Sequence, residues 1–288
     1  MAKIELVGVS YLYGKGTPFE KLALDKVNAV FEDNRINGLI GHTGCGKSTL
    51  VQLLNGLLTP TEGKVLLDGR DINEKGFDRR ALRFRVGLVF QYPEYQLFEE
   101  TVLADVSFGP KNMGLGQDEI NDRVRRSLRF VGLGDDILQA SPFDLSGGQK
   151  RRAAIAGIMA MEPEVLILDE PAAGLDPAGR ADIFEGVRRY QRDRNANVII
   201  VSHSMEDMAE YSNVISVMDH GKVVASDVPE KIFSDAEGLR RAGLDIPEIT
   251  RVMRRIKERG IPVDDTVYNV EKAAGDIAGL AARGGRNA

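Results

Sequence analysis

The apolar run Ile36–Ile40, followed at once by Gly41-His42-Thr43-Gly44-Cys45-Gly46-Lys47-Ser48-Thr49, most restricts what this chain can fold into. The run is compact and halts at a glycine, as a buried strand does where it enters a turn. Beyond the loop, Leu50, Val51, Leu54 and Leu57 give Ser48–Leu58 a helical pattern that stops near Pro60. The loop fits G-x-x-x-x-G-K-[ST], and a strand before it with a helix after it is the context that pattern requires. The glycines let backbone N–H groups turn inward around phosphate oxygens, and the helix start adds a partial positive charge. Lys47 is expected to reach the β- and γ-phosphates, Ser48 to ligate Mg²⁺ and Thr49 to support the α-phosphate. The competing reading is a glycine-rich turn without a ligand, which the flanking strand and helix disfavour.

Val165-Leu166-Ile167-Leu168-Asp169-Glu170 supplies the companion feature. A buried parallel strand delivers two carboxylates at its carboxyl end, where α/β sheets bind ligands. Asp169 is expected to hold Mg²⁺ through water, and Glu170 to polarise the attacking water. An acidic pair after a strand means little alone; behind a phosphate loop it points to a nucleoside triphosphatase. The chain has no N-K-x-D motif for reading guanine, which disfavours a GTPase. These two features leave a small-molecule kinase open.

The remaining pattern alternates helices with apolar strands. Strands are predicted at Lys3–Val7, Ala29–Phe31, Val65–Leu67, Val86–Phe90 and Val198–Val201, and a hairpin at Val214–Met218 and Lys222–Ser226. Helices are predicted at Asp118–Val131, Gly147–Met161, Ala178–Arg194 and Met205–Tyr211. Such alternation implies a parallel sheet covered on both faces. From Val228 the character changes: Pro247–Arg259 reads as a helix opened by its proline, Asn269–Arg283 as an alanine-rich helix, and 284–288 as a frayed end. Apolar runs are strand-sized, short of the roughly 18 to 20 residues a membrane helix needs. No signal peptide is expected at the start of the chain. A net charge of -5 argues against whole-surface nucleic-acid binding, and the one cysteine suits a reducing cytoplasm. His42 and His220 are given structural readings, as a variable loop position and a hairpin turn.

A second glycine loop, Leu145-Ser146-Gly147-Gly148-Gln149, opens the helix Lys150–Met161. It offers a serine hydroxyl and free backbone donors to an anion, though a plain Ser146 N-cap would look the same. The order decides: phosphate loop, LSGGQ, LILDE, Gly174-Leu175-Asp176-Pro177, then His203 after Val198–Val201. Over 1–228 the chain resembles the ATPase subunits of ABC transporters. The resemblance implies a P-loop NTPase of ABC type: an α/β fold with a RecA-like parallel core, an antiparallel β subdomain and an α-helical subdomain at about 93–163. It implies ATP as the nucleotide, bound with Mg²⁺ over Gly41–Thr49, and a head-to-tail dimer that sandwiches two ATPs. Ser146, Gly147, Gly148 and Gln149 would then face the partner's ATP. By the same resemblance, Tyr13 stacks on adenine (Tyr11 is the competitor), Gln91 senses Mg²⁺ and the attacking water, Asp176 communicates across the dimer, and His203 donates to the γ-phosphate. Ala172-Ala173 departs from a threonine frequent there in the family, with no loss of activity expected. Cys45, inside the loop, suggests sensitivity to alkylation with ATP protecting.

The stretch after Gln91, Tyr92-Pro93-Glu94-Tyr95-Gln96-Leu97-Phe98, together with Asp105–Asn112 and the segments Gly243–Pro247 and Arg259–Pro262, is similar to the energy-coupling-factor (ECF) ATPases, and within them to the second of two paired types. These power vitamin and cobalt or nickel importers of prokaryotes. The resemblance implies a homologous ATPase partner, a membrane coupling subunit and a small substrate-binding membrane subunit, at the cytoplasmic face of the membrane. Residues 229–288 would help hold the ATPases together. Tyr92, Tyr95 and Phe98 recur every three residues, so one helical turn could present them together to the membrane partner; anchoring the loop into the helical subdomain is the plainer alternative. An ATPase of a binding-protein-dependent importer is the runner-up. A soluble repair or translation ATPase stands further off, since only Leu50–Asp144 separates the phosphate loop from LSGGQ and the chain carries one ATPase unit.

Overall fold

The computed structural model describes residues 2–284, with side chains through 280. An antiparallel sheet forms from β1 (Ile4–Tyr13), β2 (Lys21–Phe31), β4 (Glu62–Leu67) and β5 (Arg70–Asp71), in the order β2-β1-β4-β5. The second sheet has the order β10-β9-β3-β8-β7-β6. Its members are β3 (Ile36–Gly41), β6 (Val86–Val89), β7 (Val165–Asp169), β8 (Asn197–Val201), β9 (Val214–Asp219) and β10 (Lys222–Asp227). From β9 to β6 the pairing is parallel; β10 closes one edge as an antiparallel hairpin. Parallel strands share their carboxyl ends, so β3, β6, β7 and β8 deliver their following loops to one rim.

Every residue of β7 and β8 is buried. Their period-2 alternation feeds two cores. Val165, Ile167, Ile199 and Val201 join the core between the two sheets, with Leu6, Leu24, Phe31 and the helix α1 (Lys47–Leu54). Leu166, Leu168, Val198 and Ile200 join the core on the opposite face. That face is covered by α3 (Val102–Asn112), α4 (Gln117–Phe130), α5 (Gly147–Met159) and α6 (Pro177–Arg194), while α2 (Arg79–Arg85) precedes β6 and α7 (Met205–Tyr211) follows β8. The same core takes in Ile232, Phe233 and Leu239 of α8 (Pro229–Ser234) and α9 (Ala236–Arg241), and Ile246 beyond them. Helices α10 (Glu248–Glu258) and α11 (Val270–Gly284) pack around a small cluster of their own: Met253, Val263, Val267 and Ala273.

Several elements depart from the sequence reading. The helix after the phosphate loop ends at Leu54, because Leu57 and Leu58 N–H groups turn back to the Gln52 carbonyl. Pro247 sits at the N-cap of α10, one place before the first helical residue. Helices α2 and α3 carry no clean periodic signal: α2 is held by the Asp78 side chain accepting from Arg80 and Ala81, and Pro110 lies inside α3. Of the end expected to be frayed, 284–288, Gly284 closes α11 and 285–288 lie outside the described residues. No helix among the described residues is long and apolar enough to cross a membrane.

Candidate active site

The loop from β3 to α1 turns at Gly44 and Gly46, whose φ angles are +83° and +113°. A Cβ on Gly46 would stand 2.7 Å from the Ala23 carbonyl oxygen and 2.8 Å from Leu24 Cδ2, so β2 closes this position to any side chain. Lys47 Nζ donates to the carbonyls of Gly41 (2.6 Å) and His42 (3.1 Å), which arches the ammonium over the loop. Ser48 Oγ donates to Asp169 Oδ2 at 3.4 Å, joining the loop to the end of β7.

Burial pushes the Asp169 carboxyl up against the pull of Lys47. Glu170 follows with φ +51°, a left-handed conformation that costs a glutamate of order 1 kcal/mol or more. Its N–H donates to Val201 O at 2.9 Å, which pins the strained backbone to the end of β8. The side chain is 12% exposed, and Oε1 has no hydrogen-bond partner among the described residues. Burial first, and the Asp169 charge second, push this carboxyl up to about 7. His203 Nε2 approaches Oε1 to 3.3 Å, close but off hydrogen-bond alignment. Burial and Lys47 lower the His203 pKa, which leaves a neutral imidazole at pH 7.

These groups converge on one polar cavity of about 340 Å³. Tyr13, Gln91, Asp169, Glu170 and His203 line it with Thr43, Gly44 and Gly46–Thr49. A cleft of about 520 Å³ beside β9 and β10 is larger and also holds a lysine and carboxylates, but its Lys231 is paired with Asp227 and no phosphate loop faces it, so size does not choose the site. Tyr13 is 40% exposed, and its hydroxyl lies 3.2 Å from Thr49 Oγ1. Tyr11 packs edge-on behind it, at 4.8 Å between ring centroids, against the inter-sheet core. The exposed ring at the cavity is therefore Tyr13. Ser48, Asp169 and Gln91 offer hard oxygen donors in one place, which suits Mg²⁺.

Not every expected residue faces this cavity. Gly41, His42 and Cys45 do not line it. The Cys45 side chain is 1% exposed, and burial raises its thiol pKa. A buried, protonated thiol is a poor nucleophile, so the expected sensitivity to alkylation is not supported. Ser146 caps α5 in a full capping box with Gln149: Gln149 N–H donates to Ser146 Oγ at 3.3 Å, and Ser146 N–H to Gln149 Oε1 at 3.0 Å. Ser146 and Gly147 are exposed, away from the chain's own cavity. Asp176 caps α6, accepting from Gly179 N–H at 2.7 Å.

The three aromatics after Gln91 do not share one face. Pro93–Gln96 forms a 3-10 turn that brings Tyr92 and Tyr95 to 6.2 Å between ring centroids. Phe98 leaves the turn and meets Phe108 of α3 edge-on at 5.0 Å. Phe98, Phe108, Phe84 and Met161 line a separate apolar groove of about 360 Å³. Tyr92, Tyr95 and Phe98 are 49%, 85% and 58% exposed, and two of them also touch the helical subdomain: Phe98 at Phe108 of α3 and Tyr92 at Arg151 of α5, 5.6 Å from ring centroid to guanidinium carbon. Glu94, paired with buried Arg151 of α5, ties the loop down as well.

Sequence reasoning missed Arg151 and two cavity residues, Lys21 and Ala23. Lys21 pairs with Tyr13 across β1 and β2, so the Tyr13 strand end was the available signal.

A family model described as "ABC transporter" matches residues 24–173. The energy-coupling factor transporter ATP-binding protein EcfA2 of Clostridium acetobutylicum is 48% identical over 275 residues, covering 95% of this chain and 96% of that protein. Among solved structures, cbiO1 of Clostridium perfringens, part of the ABC transporter complex cbiONQ, shares 37% identity at a TM-score of 0.74, over 87% of this chain and 98% of that one. The ATP-binding cassette MJ0796, solved as a dimer in a post-hydrolysis state with ADP and Pi, shares 25% identity at a TM-score of 0.69, over 78% of this chain and 98% of that one. A phosphate loop, an acidic strand end and relatives of this closeness converge: the chain belongs to the energy-coupling factor transporter ATP-binding proteins of the ABC transporter family.

Proposed function

We propose that the chain binds and hydrolyses ATP as one of two paired ATPase subunits driving an ECF-type importer of vitamins or transition-metal ions. The observation that carries this is the single cavity where Lys47, Ser48, Gln91, Asp169, Glu170 and His203 meet. The backbone of Gly41–Thr49 would cradle the phosphates and Tyr13 would stack on adenine. Ser48, Asp169 and Gln91 would hold Mg²⁺, which when bound neutralises phosphate charge. Glu170, poised near neutrality, would accept a proton from the attacking water, a role worth about 10²–10⁴-fold in rate. Neutral His203 would donate to the γ-phosphate.

Ser146 and Gly148 lie outside the chain's own cavity, so a head-to-tail partner is needed to bring an LSGGQ helix start onto this ATP. We assign that place to a homologous ATPase, with α10 and α11 at the contact between the two subunits. Phe98 and the apolar groove beside it would receive a membrane coupling subunit, with Tyr95 at the rim. A small membrane subunit would carry substrate specificity, and the chain would sit on the cytoplasmic face of the membrane. Mass spectrometry of the detergent-extracted complex tests the partners: a second ATPase and two membrane subunits are expected, and nucleic acid or ribosomes would overturn the assignment. Glu170→Gln is expected to trap an ATP-bound dimer and abolish uptake. Phe98→Ala and Tyr95→Ala are expected to lower uptake with ATP binding intact; unchanged uptake in both would remove them from the docking surface.

A further inference from the structure

The turn between β9 and β10 touches the back of the phosphate loop. Gly221 N–H donates to Cys45 O at 2.9 Å, and His42 Nε2 lies 3.2 Å from Asp219 Oδ1. His220 Nδ1 lies 2.6 Å from the same oxygen. The ligand atoms of His42, Asp219 and His220 all fall within 4.8 Å of one another. Among the described residues these two imidazoles are the only ion-pair partners of Asp219. Lys231 and Arg241 share a cleft with Asp219, but Lys231 is paired with Asp227 and neither comes within ion-pair distance of it.

The His42 ring has a close contact at each nitrogen. Its Nδ1 lies 3.0 Å from the Thr43 carbonyl, which can only accept, so Nδ1 holds the proton. In the neutral ring Nε2 is then a bare lone pair, facing a carboxylate oxygen at 3.2 Å. Two acceptors at that distance repel unless a proton or a metal cation lies between them. A metal-bound histidine characteristically donates its other ring N–H to a backbone carbonyl, as His42 Nδ1 does to Thr43. Donors bound at ordinary Zn²⁺ distances in a tetrahedron stand about 3.3 Å apart. The His42–Asp219 pair already has that spacing. The His220–Asp219 pair must open by roughly 0.7 Å. His220 sits at the tip of the turn and is 83% exposed, which leaves it room to do so.

We propose that His42, Asp219 and His220 form a site for one divalent transition-metal ion of the Zn²⁺ class, separate from the Mg²⁺–ATP site. Two imidazoles and one carboxylate suit Zn²⁺, whereas Mg²⁺ takes oxygen ligands and keeps its waters. Because the His42 side chain does not line the nucleotide cavity, its ring serves the ion while its backbone stays with the phosphate loop. The exposure of His220 gives the ion access from solvent. The His42 carbonyl also accepts from Lys47 Nζ at 3.1 Å, so an ion that fixes His42 and ties it to the β9–β10 turn steadies the seat of that lysine.

The test is a Co²⁺ titration of the tag-free, chelator-stripped subunit in excess Mg²⁺, followed by visible absorption. One equivalent should bind with the intense band of tetrahedral Co²⁺, and Zn²⁺ should displace it. His220 has φ +43°, which asparagine tolerates, so His220→Asn removes the ligand and leaves the turn. That variant should lose the band and bind Co²⁺ at least about 10-fold more weakly, while Mg²⁺–ATP hydrolysis in a zinc-selective chelator stays at the wild-type rate. Only a weak octahedral spectrum in the wild type, or an intense band that survives in His220→Asn, would overturn the site.

Discussion

Replacing Glu94 by glutamine measures how firmly the loop after Gln91 is tied to the helix behind the LSGGQ sequence. Arg151 on α5 is 4% exposed and Glu94 is 20% exposed. The contact is bidentate, with Nε to Oε2 at 3.0 Å and Nη2 to Oε1 at 3.2 Å. Glutamine keeps the shape but leaves the guanidinium charge buried and uncompensated. Breaking a fully buried pair costs about 3–5 kcal/mol. Two features reduce that. Water reaches Glu94, and the Tyr92 ring, 5.6 Å from the guanidinium carbon, returns about 0.5–1 kcal/mol as a cation–π contact. The expected loss is about 2–3 kcal/mol. For a chain of this size that lowers Tm by roughly 3–5 °C. Arg85 supplies the control: it pairs with Asp68 and Glu164, but all three side chains are 38–43% exposed. Glu164→Gln should therefore cost under about 1 kcal/mol and lose its effect in salt, while Glu94→Gln should not. The assay is thermal unfolding at low and high salt, with Arg151→Met completing a double-mutant cycle. A coupling below about 0.5 kcal/mol, or equal losses in Glu94→Gln and Glu164→Gln, would refute the burial argument.

Three other outcomes are expected. Glu170 has a folded-state pKa near 7, above its ordinary 4.5, so folding keeps the proton and stability falls as pH rises through that window, then levels off. In metal-free protein Glu170→Gln should accordingly gain in Tm over wild type between those pH values and hold the gain above 7; a difference independent of pH would contradict the assignment. Gly186→Ala should prevent folding or cost several kcal/mol, since a Cβ in α6 would overlap the Phe130 carbonyl at the end of α4; soluble protein with wild-type Tm would show that the helices can part. Cys45 should react slowly with iodoacetamide in native protein and fast in denaturant, as mass spectrometry of the labelled chain can read.

The chemistry of the site was legible because it is written locally. The spacing from Gly41 to Ser48 needs only a strand before it and a helix after it, and both were visible as apolar period and stop signals. Asp169 and Glu170 follow a run whose every residue is buried, so their delivery to the sheet rim also followed from the chain alone. Where local signals were weak, the reading failed. Pro110 hid α3, although Thr101, which accepts from Ala104 N–H at 3.1 Å, marked its start. The three-residue spacing of Tyr92, Tyr95 and Phe98 suggested one face, yet the 3-10 turn closes after Gln96 and Phe98 goes to Phe108.

By itself, then, the sequence determined the phosphate loop, its carboxylates, the two-faced parallel sheet and the family, all properties of short-range order and spacing. Only the tertiary structure decided which residues meet across long separations. It set Lys21 and Ala23 beside the nucleotide cavity, buried Arg151 against Glu94, turned the Cys45 thiol inward and gathered His42, Asp219 and His220 into one cluster. Gly186 makes the distinction plain. In the sequence it is a glycine costing a helix about 1 kcal/mol. In the fold it is the contact point where another helix's carbonyl leaves no room for a carbon atom. Periodicity reports which face of an element is apolar, while close approach depends on where a second element lies, and that is settled only when the cores pack.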